Sequence, residues 1–314
     1  MSESSTPQPE STATPVVIEQ AQSASSSQSQ SSQGNKQKQR DYMMSSEARA
    51  LEIGKRFHID ALIAGKSEQD LAERTAERQR YELQRRQANL ENILKLCYGQ
   101  CRNEASQEPD SDWLHHFFTM AQQVHGTSMQ QLWARILKHE MIQPGHFSVK
   151  SLQVLLNMTQ REAQLFQRAC ALSCSFGGDH SKKLLTGIKS GAGIKQWFKP
   201  EAPQLISLGQ YQLPYSSLLV LMELGLILST ELESGTVAMQ PPLVLQYQQH
   251  SYQLTPRQKG TRLLYYRFTP IGNELAKLLG NKTQQNYQQD LLDILAQRFF
   301  VDSSVNGGQV NTQV

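Results

Sequence analysis

The sequence lacks long apolar runs, an export signal and all but a few cysteines. No apolar stretch approaches the ~20 residues that a membrane-spanning helix needs, and residues 1–5 carry neither the basic patch nor the apolar stretch of a signal peptide. The 4 cysteines in 314 residues are too few for a disulfide framework. We therefore expect a cytoplasmic protein with reduced thiols and no membrane partner.

A large charge of one sign is also missing. The 31 Lys and Arg residues and the 28 Asp and Glu residues give a formal net charge of +3, and the two signs are interspersed along the chain. So small a charge does not by itself indicate nucleic acid or an anionic membrane. Any binding site for an anionic partner must therefore come from a cluster of basic residues in one part of the protein.

Large apolar residues are almost absent from the two ends of the chain. Residues 1–42 are rich in Ser, Gln, Thr and Pro, and residues 301–314 are polar and contain glycine. Such segments bury too little apolar surface to offset the ~1–2 kcal/mol of backbone entropy that each ordered residue costs. We expect a disordered Ser/Gln-rich head and a disordered tail.

The middle of the chain has the spacing of amphipathic helices. Residues 67–102 contain no proline and many Glu, Arg, Gln and Leu, which predicts a long helix whose coiled-coil seam is weak in the first half and strong in the second. Shorter helices follow. Their start signals are Thr127 with Gln130, Ser148, and Thr159 with Glu162. These elements predict a helical domain over residues 45–176.

Beyond residue 176 the composition changes. Repeated glycines predict a Gly/Lys-rich linker over residues 177–203. Residues 204–300 contain a short helix ended by Gly225 and two β-rich runs, 243–254 and 261–268, with hairpin-turn residues between them. The predicted fold is therefore mainly α: a helical bundle with a long N-terminal helix, followed by a small α+β module.

One block of the helical region carries a family resemblance. It contains Met129-Gln130-x-Leu132-Trp133-Ala134-x-Ile136-Leu137-x-x-Glu140, Pro144-Gly145-x-Phe147-Ser148 and Thr159-x-x-Glu162-Ala163-x-x-Phe166. This block resembles an uncharacterised family of gammaproteobacterial proteins, and the resemblance extends over most of residues 45–300. Its helical pieces are also similar to those of alpha-type abortive-infection proteins. The resemblance implies a bacterial origin and brings no established activity.

Residues 205–280 are similar to winged-helix modules. The similarity rests on Leu218-x-x-Leu221-x-x-Leu224-Gly225, the predicted hairpin, and Phe268-Thr269-Pro270-x-Gly272-x-x-Leu275. In such modules the helix before the wing often enters the major groove of DNA. Residues 217–223 contain no Arg, Lys or Asn, so the resemblance implies that any nucleic-acid contact is made by the wing.

Two cysteine pairs have helical spacing: Cys97 with Cys101, and Cys170 with Cys174. The i,i+4 spacing would place both thiols of a pair on one helical face. Four thiolates could hold zinc, the one cofactor that the sequence suggests. The alternative, which we favour, is that these small apolar side chains fill tight helix crossings.

Basic residues interleaved with aromatic ones indicate a possible nucleic-acid surface. The set comprises Lys182, Lys183, Lys189, Lys195, Trp197 and Lys199, with Arg257, Lys259 and Arg262 at the predicted hairpin. Positive charge contacts phosphates, and aromatic rings stack on bases. A solvated loop with an anchored tryptophan is the alternative.

No catalytic pattern stands out. His139-Glu140 lacks a second metal ligand at Gln143, and the glycines around Lys195 lack P-loop spacing. The leading hypothesis is a non-enzymatic protein-interaction or regulatory protein, with a protein partner or self-association. The alternatives are nucleic-acid binding through the C-terminal module and, more distantly, a defence-associated enzyme.

Overall fold

The computed structural model describes residues 44–65, 70–190, 202–279 and 283–304. The chain divides into two compact units between Arg78 and Gln79. The predicted head, residues 1–42, lies outside the described residues, as do residues 305–314 of the predicted tail. Residues 301–304 of that tail belong to the last strand.

The first unit contains helix α1 (Ser46–Arg56) and the beginning of helix α2 (Leu71–Gln100). Ser45 caps α1, because its Oγ accepts a hydrogen bond from the backbone N–H of Ala48 at 3.1 Å. After α1 the chain folds back, and the N–H of Ile59 donates to the carbonyl of Gly54 at 2.9 Å. Gly54 is buried at this fold-back.

Helix α2 matches the long helix predicted over residues 67–102, although residues 67–69 lie outside the described residues. The two halves of α2 differ as the heptad pattern predicts. Its buried residues, Asn89, Ile93 and Cys97, all lie in the second half. Coiled-coil pairing of this helix stays a prediction.

Four helices follow in the second unit: α3 (Ser111–Ala121), α4 (Thr127–Ile142), α5 (Val149–Asn157) and α6 (Gln160–Leu172). Two predicted start signals are confirmed. The Oγ of Ser148 caps α5, and Thr159 and Glu162 form a reciprocal capping box at the start of α6. Among the described helices, none is both long and apolar enough to cross a bilayer.

The predicted capping box of α4 is wrong. Gly126 occupies the N-cap position without a side-chain bond. The side-chain amide of Gln130 instead points inward, where it donates to Asn89 Oδ1 at 3.2 Å and to the carbonyl of Val124 at 3.0 Å. A buried side-chain amide must be hydrogen-bonded, and Asn89 and Val124 supply the acceptors for Gln130.

An antiparallel sheet occupies the rest of the second unit. Its strands are β1 (Cys174–Phe176), β2 (Asp179–Lys189), β3 (Gln204–Leu205), β4 (Leu232–Glu233), β5 (Leu243–Tyr247), β6 (His250–Pro256), β7 (Arg262–Arg267) and β8 (Phe299–Ser304). The order is β4-β7-β2-β1-β5-β6-β8, with β3 beside β2. The remaining helices are α7 (Tyr215–Glu223), α8 (Pro270–Ala276) and α9 (Gln285–Ala296), and a 3-10 turn covers Leu208–Tyr211.

This sheet corrects the predicted fold class. A mainly α bundle followed by a small winged-helix-like module is wrong, because eight strands form one sheet in an α+β mix. Strand β2 lies inside the predicted linker, 177–203. The lysines and glycines of this segment predict a loop, but two of them have a place in the strand. Lys183 is buried, and its ammonium donates to backbone carbonyls. Gly187 is required because a Cβ there would lie 2.6 Å from the carbonyl oxygen of Gln204.

The predicted hairpin between the two β-rich runs is also wrong. Strand β6 pairs with β5 and β8, whereas β7 pairs with β2 and β4. The true hairpin joins β5 to β6 and is closed by Tyr247 opposite His250. Its turn contains Gln248 at φ 52°, which few non-glycine residues adopt. The Gln248 side chain stabilises this turn by donating to the carbonyls of Cys170 and Ala171, at the end of α6, at 2.9 and 3.0 Å.

The segment from α7 to α8 confirms the predicted helix end at Gly225. Gly225, at φ 68°, follows α7 in the left-handed conformation, and Thr269 caps α8 by accepting from the N–H of Gly272 at 3.1 Å. The Oγ1 of Thr269 also donates to the carbonyl of Gly225 at 2.6 Å. Gly272 lies against Leu226, since a Cβ on Gly272 would stand 2.0 Å from the Leu226 carbonyl oxygen. Only glycine allows this close approach.

Candidate functional site

Two clefts in the second unit share the side chain of Arg135. The first, of about 750 Å³, is lined by Arg135, Gln164, Gln167, Arg168, Ala171, Leu278, Leu279 and Gln284. The second, of about 630 Å³, is lined by Asn92, Lys95, Leu96, Gly99, Gln100, Thr127, Gln130, Gln131 and Arg135. We call these two clefts together the Arg135 groove.

The polar lining of the Arg135 groove consists of cations, amides and one threonine hydroxyl. The cations are Lys95, Arg135 and Arg168. The amide side chains other than the internally bonded Gln130 are Asn92, Gln100, Gln131, Gln164, Gln167 and Gln284. Among the described lining residues, none is acidic. Such a lining attracts anions and repels cations.

Helix spacing brings these side chains to one side of each helix. On α2, Asn92 and Lys95 are three residues apart, and on α4, Gln131 and Arg135 are four apart. On α6, Gln164 precedes Arg168 by four residues. Residues three or four apart lie on the same helical face. Each helix therefore presents at least one amide and one cation to the groove. The sequence contains this spacing, but its composition alone does not reveal it.

Arg135 is fixed at the junction of the two clefts. Its Nη1 donates to the carbonyl of Leu278 at 2.9 Å, and its neighbours on α4, Ala134 and Ile136, are fully buried. A guanidinium has five N–H donors, and the bond to Leu278 is made to an uncharged acceptor. The full positive charge of Arg135 therefore remains in the groove.

The surroundings of Arg135 carry further positive charge. Burial lowers the pKa of His139, and the charges of Lys138, Arg135 and Lys277 lower it further. Burial also lowers the pKa of His146, with an additional contribution from Lys277. Both imidazoles are thus held toward their neutral forms mainly by burial, and the neighbouring cations add to this effect, although Glu140 and Glu274 oppose it at His146.

The acidic side chain of Glu104 stands near the Gln100 end of the groove, and it is paired. Lys138 Nζ donates to the carbonyl of Gln100 and to Glu104 Oε1, both at 2.7 Å. The hydrogen bond from Lys138 is the main reason that the pKa of Glu104 is lowered. The ion pair balances this carboxylate, so it adds no net negative charge.

The structure separates the basic residues that the sequence grouped together. Lys183 is only 3% exposed, and its Nζ donates to the carbonyls of Phe176, Asp179 and Ser181 at 3.1 to 3.2 Å. Burial lowers the pKa of this lysine. Its ammonium therefore binds the β1–β2 turn rather than facing solvent.

Two other members of that set face each other across β2 and β7. Lys189 lies opposite Arg262, and both bind Glu233, at 2.7 and 2.9 Å. Arg257 Nε donates to the carbonyls of Ala296 and Phe299, at 3.1 and 3.2 Å. Each of these charged groups is bound within the protein.

The remaining members are dispersed. Lys182 lines a separate cleft of about 530 Å³ that also contains Lys277. Lys259 is exposed in the turn before β7. Lys195, Trp197 and Lys199 lie outside the described residues. That these residues together form a nucleic-acid surface stays a prediction.

The cysteine pairs differ from the sequence expectation in one respect. Cys97 and Cys101 lie at the end of α2, where Cys101 Sγ donates to the Cys97 carbonyl at 3.2 Å. Cys170 is in α6, but Cys174 is in β1, because α6 ends at Leu172. The second pair therefore does not share a helical face.

The environment of three of these thiols favours their protonated form. Burial raises the pKa of Cys97, Cys170 and Cys174 to about 12, and zinc binds the thiolate. Within the described ranges, no cluster of three or more His, Cys, Asp or Glu side chains could hold a metal ion. A zinc site built from the four cysteines stays a prediction.

Comparison with known proteins identifies the family. Residues 73–292 match the model of the family described as Protein of unknown function (DUF2806). No curated protein and no solved structure matches the chain. The predicted membership of an uncharacterised family is confirmed. The gammaproteobacterial origin stays a prediction, whereas the winged-helix similarity is not supported, because the hairpin on which it rested does not form. Because the match covers more than half of the chain and every lining residue of the Arg135 groove, the protein belongs to the DUF2806 family.

Proposed function

We propose that the Arg135 groove binds the phosphate backbone of nucleic acid. The observation that carries the proposal is the lining: Lys95, Arg135 and Arg168 with no acidic residue among the described ones. A phosphodiester oxygen accepts hydrogen bonds and carries negative charge, so cationic donors are its natural partners. Phosphate contacts of this kind give affinity and orientation without reading the sequence.

The groove supports this function better than the predicted basic surface does. Lys189 and Arg262 share one carboxylate, that of Glu233, so an incoming phosphate would compete with an existing ion pair. Arg135 and Arg168 instead donate to carbonyl oxygens, those of Leu278 and Gln212. Neutral acceptors leave the positive charge uncompensated, and it can attract phosphate.

The strength of salt dependence follows from the number of cations. Each phosphate neutralised on duplex DNA contributes roughly −0.9 to the slope of log affinity against log salt. Three groove cations therefore predict a slope of about −3 if each meets one phosphate. Removing two of the charges should bring the slope to about −1.

The test is fluorescence anisotropy with a duplex of about 16 base pairs, titrated across a range of salt concentrations. Arg135→Gln with Arg168→Gln should weaken binding by about tenfold or more and flatten the slope. Lys189→Gln with Arg262→Gln removes the same charge from β2 and β7 and should leave the affinity nearly unchanged. No binding by the parent at low salt, or equal losses in both double variants, would contradict the proposal.

We also propose that two copies of the chain associate through α2. Leu83 is 62% exposed on the first half of this helix, and acidic and basic residues alternate along it, as in Glu73-Arg74 and Glu77-Arg78. Two copies of such a helix offer each other apolar contacts and opposite charges.

Light scattering of the full chain tests this second proposal. The parent should form dimers, and Leu83→Glu should shift it to monomers. Leu219→Glu, at an exposed site on α7, is the matched control and should have no effect. A strictly monomeric parent would rule out self-association.

A further inference from the structure

The amide side chains of the groove indicate which nucleic acid it binds. An amide has both a donor and an acceptor, whereas the phosphates of DNA and RNA only accept. The DNA backbone therefore leaves the amide oxygens without a partner. The RNA backbone carries 2′-hydroxyl groups, which donate as well as accept. A groove with six amides beside three cations thus complements ribose together with phosphate.

The arrangement of the amides supports this distinction. Asn92 with Lys95, Gln131 with Arg135, and Gln164 with Arg168 each place an amide one helical turn before a cation. The three amides are exposed, so their oxygens can accept from a hydroxyl.

The absence of stacking platforms favours a duplex. Among the described residues that line the groove, none is aromatic. Single-stranded RNA gains much of its affinity by stacking splayed bases on aromatic rings. Double-stranded RNA needs no such rings, because it displays its 2′-hydroxyls and phosphates across a wide, shallow minor groove.

From these observations we infer that the ligand of the Arg135 groove is double-stranded RNA, contacted through its ribose hydroxyls and phosphates. The inference rests on the proposed function and narrows it. Its contacts are independent of base identity, so duplexes of different sequence should bind alike.

The experiment compares three probes of the same sequence: an RNA duplex of about 16 base pairs, the corresponding DNA duplex, and one RNA strand alone. The parent should bind the RNA duplex about tenfold more tightly than either of the others, as two or three net hydrogen bonds would produce. Gln131→Met with Gln164→Met should remove this preference, because it lowers RNA affinity more than DNA affinity, and it should leave the salt slope unchanged. Gln153→Met with Gln246→Met, at exposed sites outside the groove, is the matched control and should keep the preference.

The outcomes separate the inference from the proposed function. Equal affinity for RNA and DNA duplexes, or tighter binding of the single strand, overturns the inference while the groove remains a nucleic-acid site. The inference also fails if the Gln→Met pair lowers RNA and DNA affinity equally. If the parent binds none of the probes at low salt, the proposed function itself is wrong.

Discussion

The buried carboxylate of Glu140 accepts a hydrogen bond from the backbone N–H of Phe147 at 3.0 Å. The N–H groups of Gly145 and His146 donate to the same carboxylate. Glu140 is 2% exposed and lies near the end of α4, so it fixes the loop that leads into α5. A buried charge is tolerated where several donors surround it, as they do here.

Replacing Glu140 with glutamine should therefore destabilise the fold. The amide keeps one acceptor oxygen, but its NH₂ group would face backbone donors. We expect a loss of about 3 kcal/mol in the free energy of unfolding, measured by urea denaturation. Glu223→Gln, at an exposed position on α7, should change it by less than about 0.5 kcal/mol. Equal effects of the two substitutions would show that the Glu140 contacts contribute little.

Gly272→Ala should also destabilise the second unit. The added Cβ would stand 2.0 Å from the carbonyl oxygen of Leu226, so the backbone must shift. The expected cost is at least about 2 kcal/mol. Gly99→Ala is the control, because nothing lies within 4 Å of the added atom and alanine favours the helix by up to about 1 kcal/mol. Thermal unfolding of both variants distinguishes them, and a neutral Gly272→Ala would disprove the close approach.

Asp179 should make stability depend on acid pH. Its side chain accepts from Ser181 Oγ at 2.7 Å and lies 3.0 Å from Arg267 Nη2. The hydrogen bond from Ser181 is the main reason that its pKa falls to about 2. A depressed folded-state pKa adds stability above the ordinary value of 3.8, and that stability is lost as pH falls toward about 2.

The corresponding variant is Asp179→Asn. It should lower the melting temperature at neutral pH, and the gap from the parent should narrow between pH 3.8 and about 2. Asp302→Asn, at an exposed position in β8, serves as control. A gap that stays constant with pH would show that the Asp179 charge does not contribute.

The four cysteines should differ in reactivity in the native protein. Burial raises the pKa of Cys97, Cys170 and Cys174 to about 12, whereas Cys101 is only partly buried. The thiolate is the reactive form. Near pH 8, a thiol reagent should therefore modify Cys101 first and the others only on unfolding. Mass spectrometry of the modified peptides checks this order, and rapid modification of Cys174 would contradict its burial.

Local signals in the sequence were enough to place many of the helices. Thr159 with Glu162 and Thr269 with Pro270 define their helix starts through contacts within one turn. The sheet could not be inferred in the same way. The interior position of Lys183 depends on carbonyls supplied by the β1–β2 turn, and Gly187 is explained only by the close approach of β3.

The β5–β6 hairpin shows the same limit. Gln248 has no turn propensity comparable to glycine or asparagine, and its conformation is stabilised by acceptors in α6 that are distant in sequence. The groove could be predicted from the sequence only in part. The amide and cation spacings are visible in the sequence, as in Gln131 and Arg135, but the fold decides that they line neighbouring clefts.

The most direct test of the account is hydrogen exchange of the protein with and without bound nucleic acid. Protection should appear in the groove-lining parts of α2, α4 and α6, around Lys95, Arg135 and Arg168. Protection confined to β2 and to the turn around Lys259, with no change in α4 or α6, would contradict the assignment of the Arg135 groove.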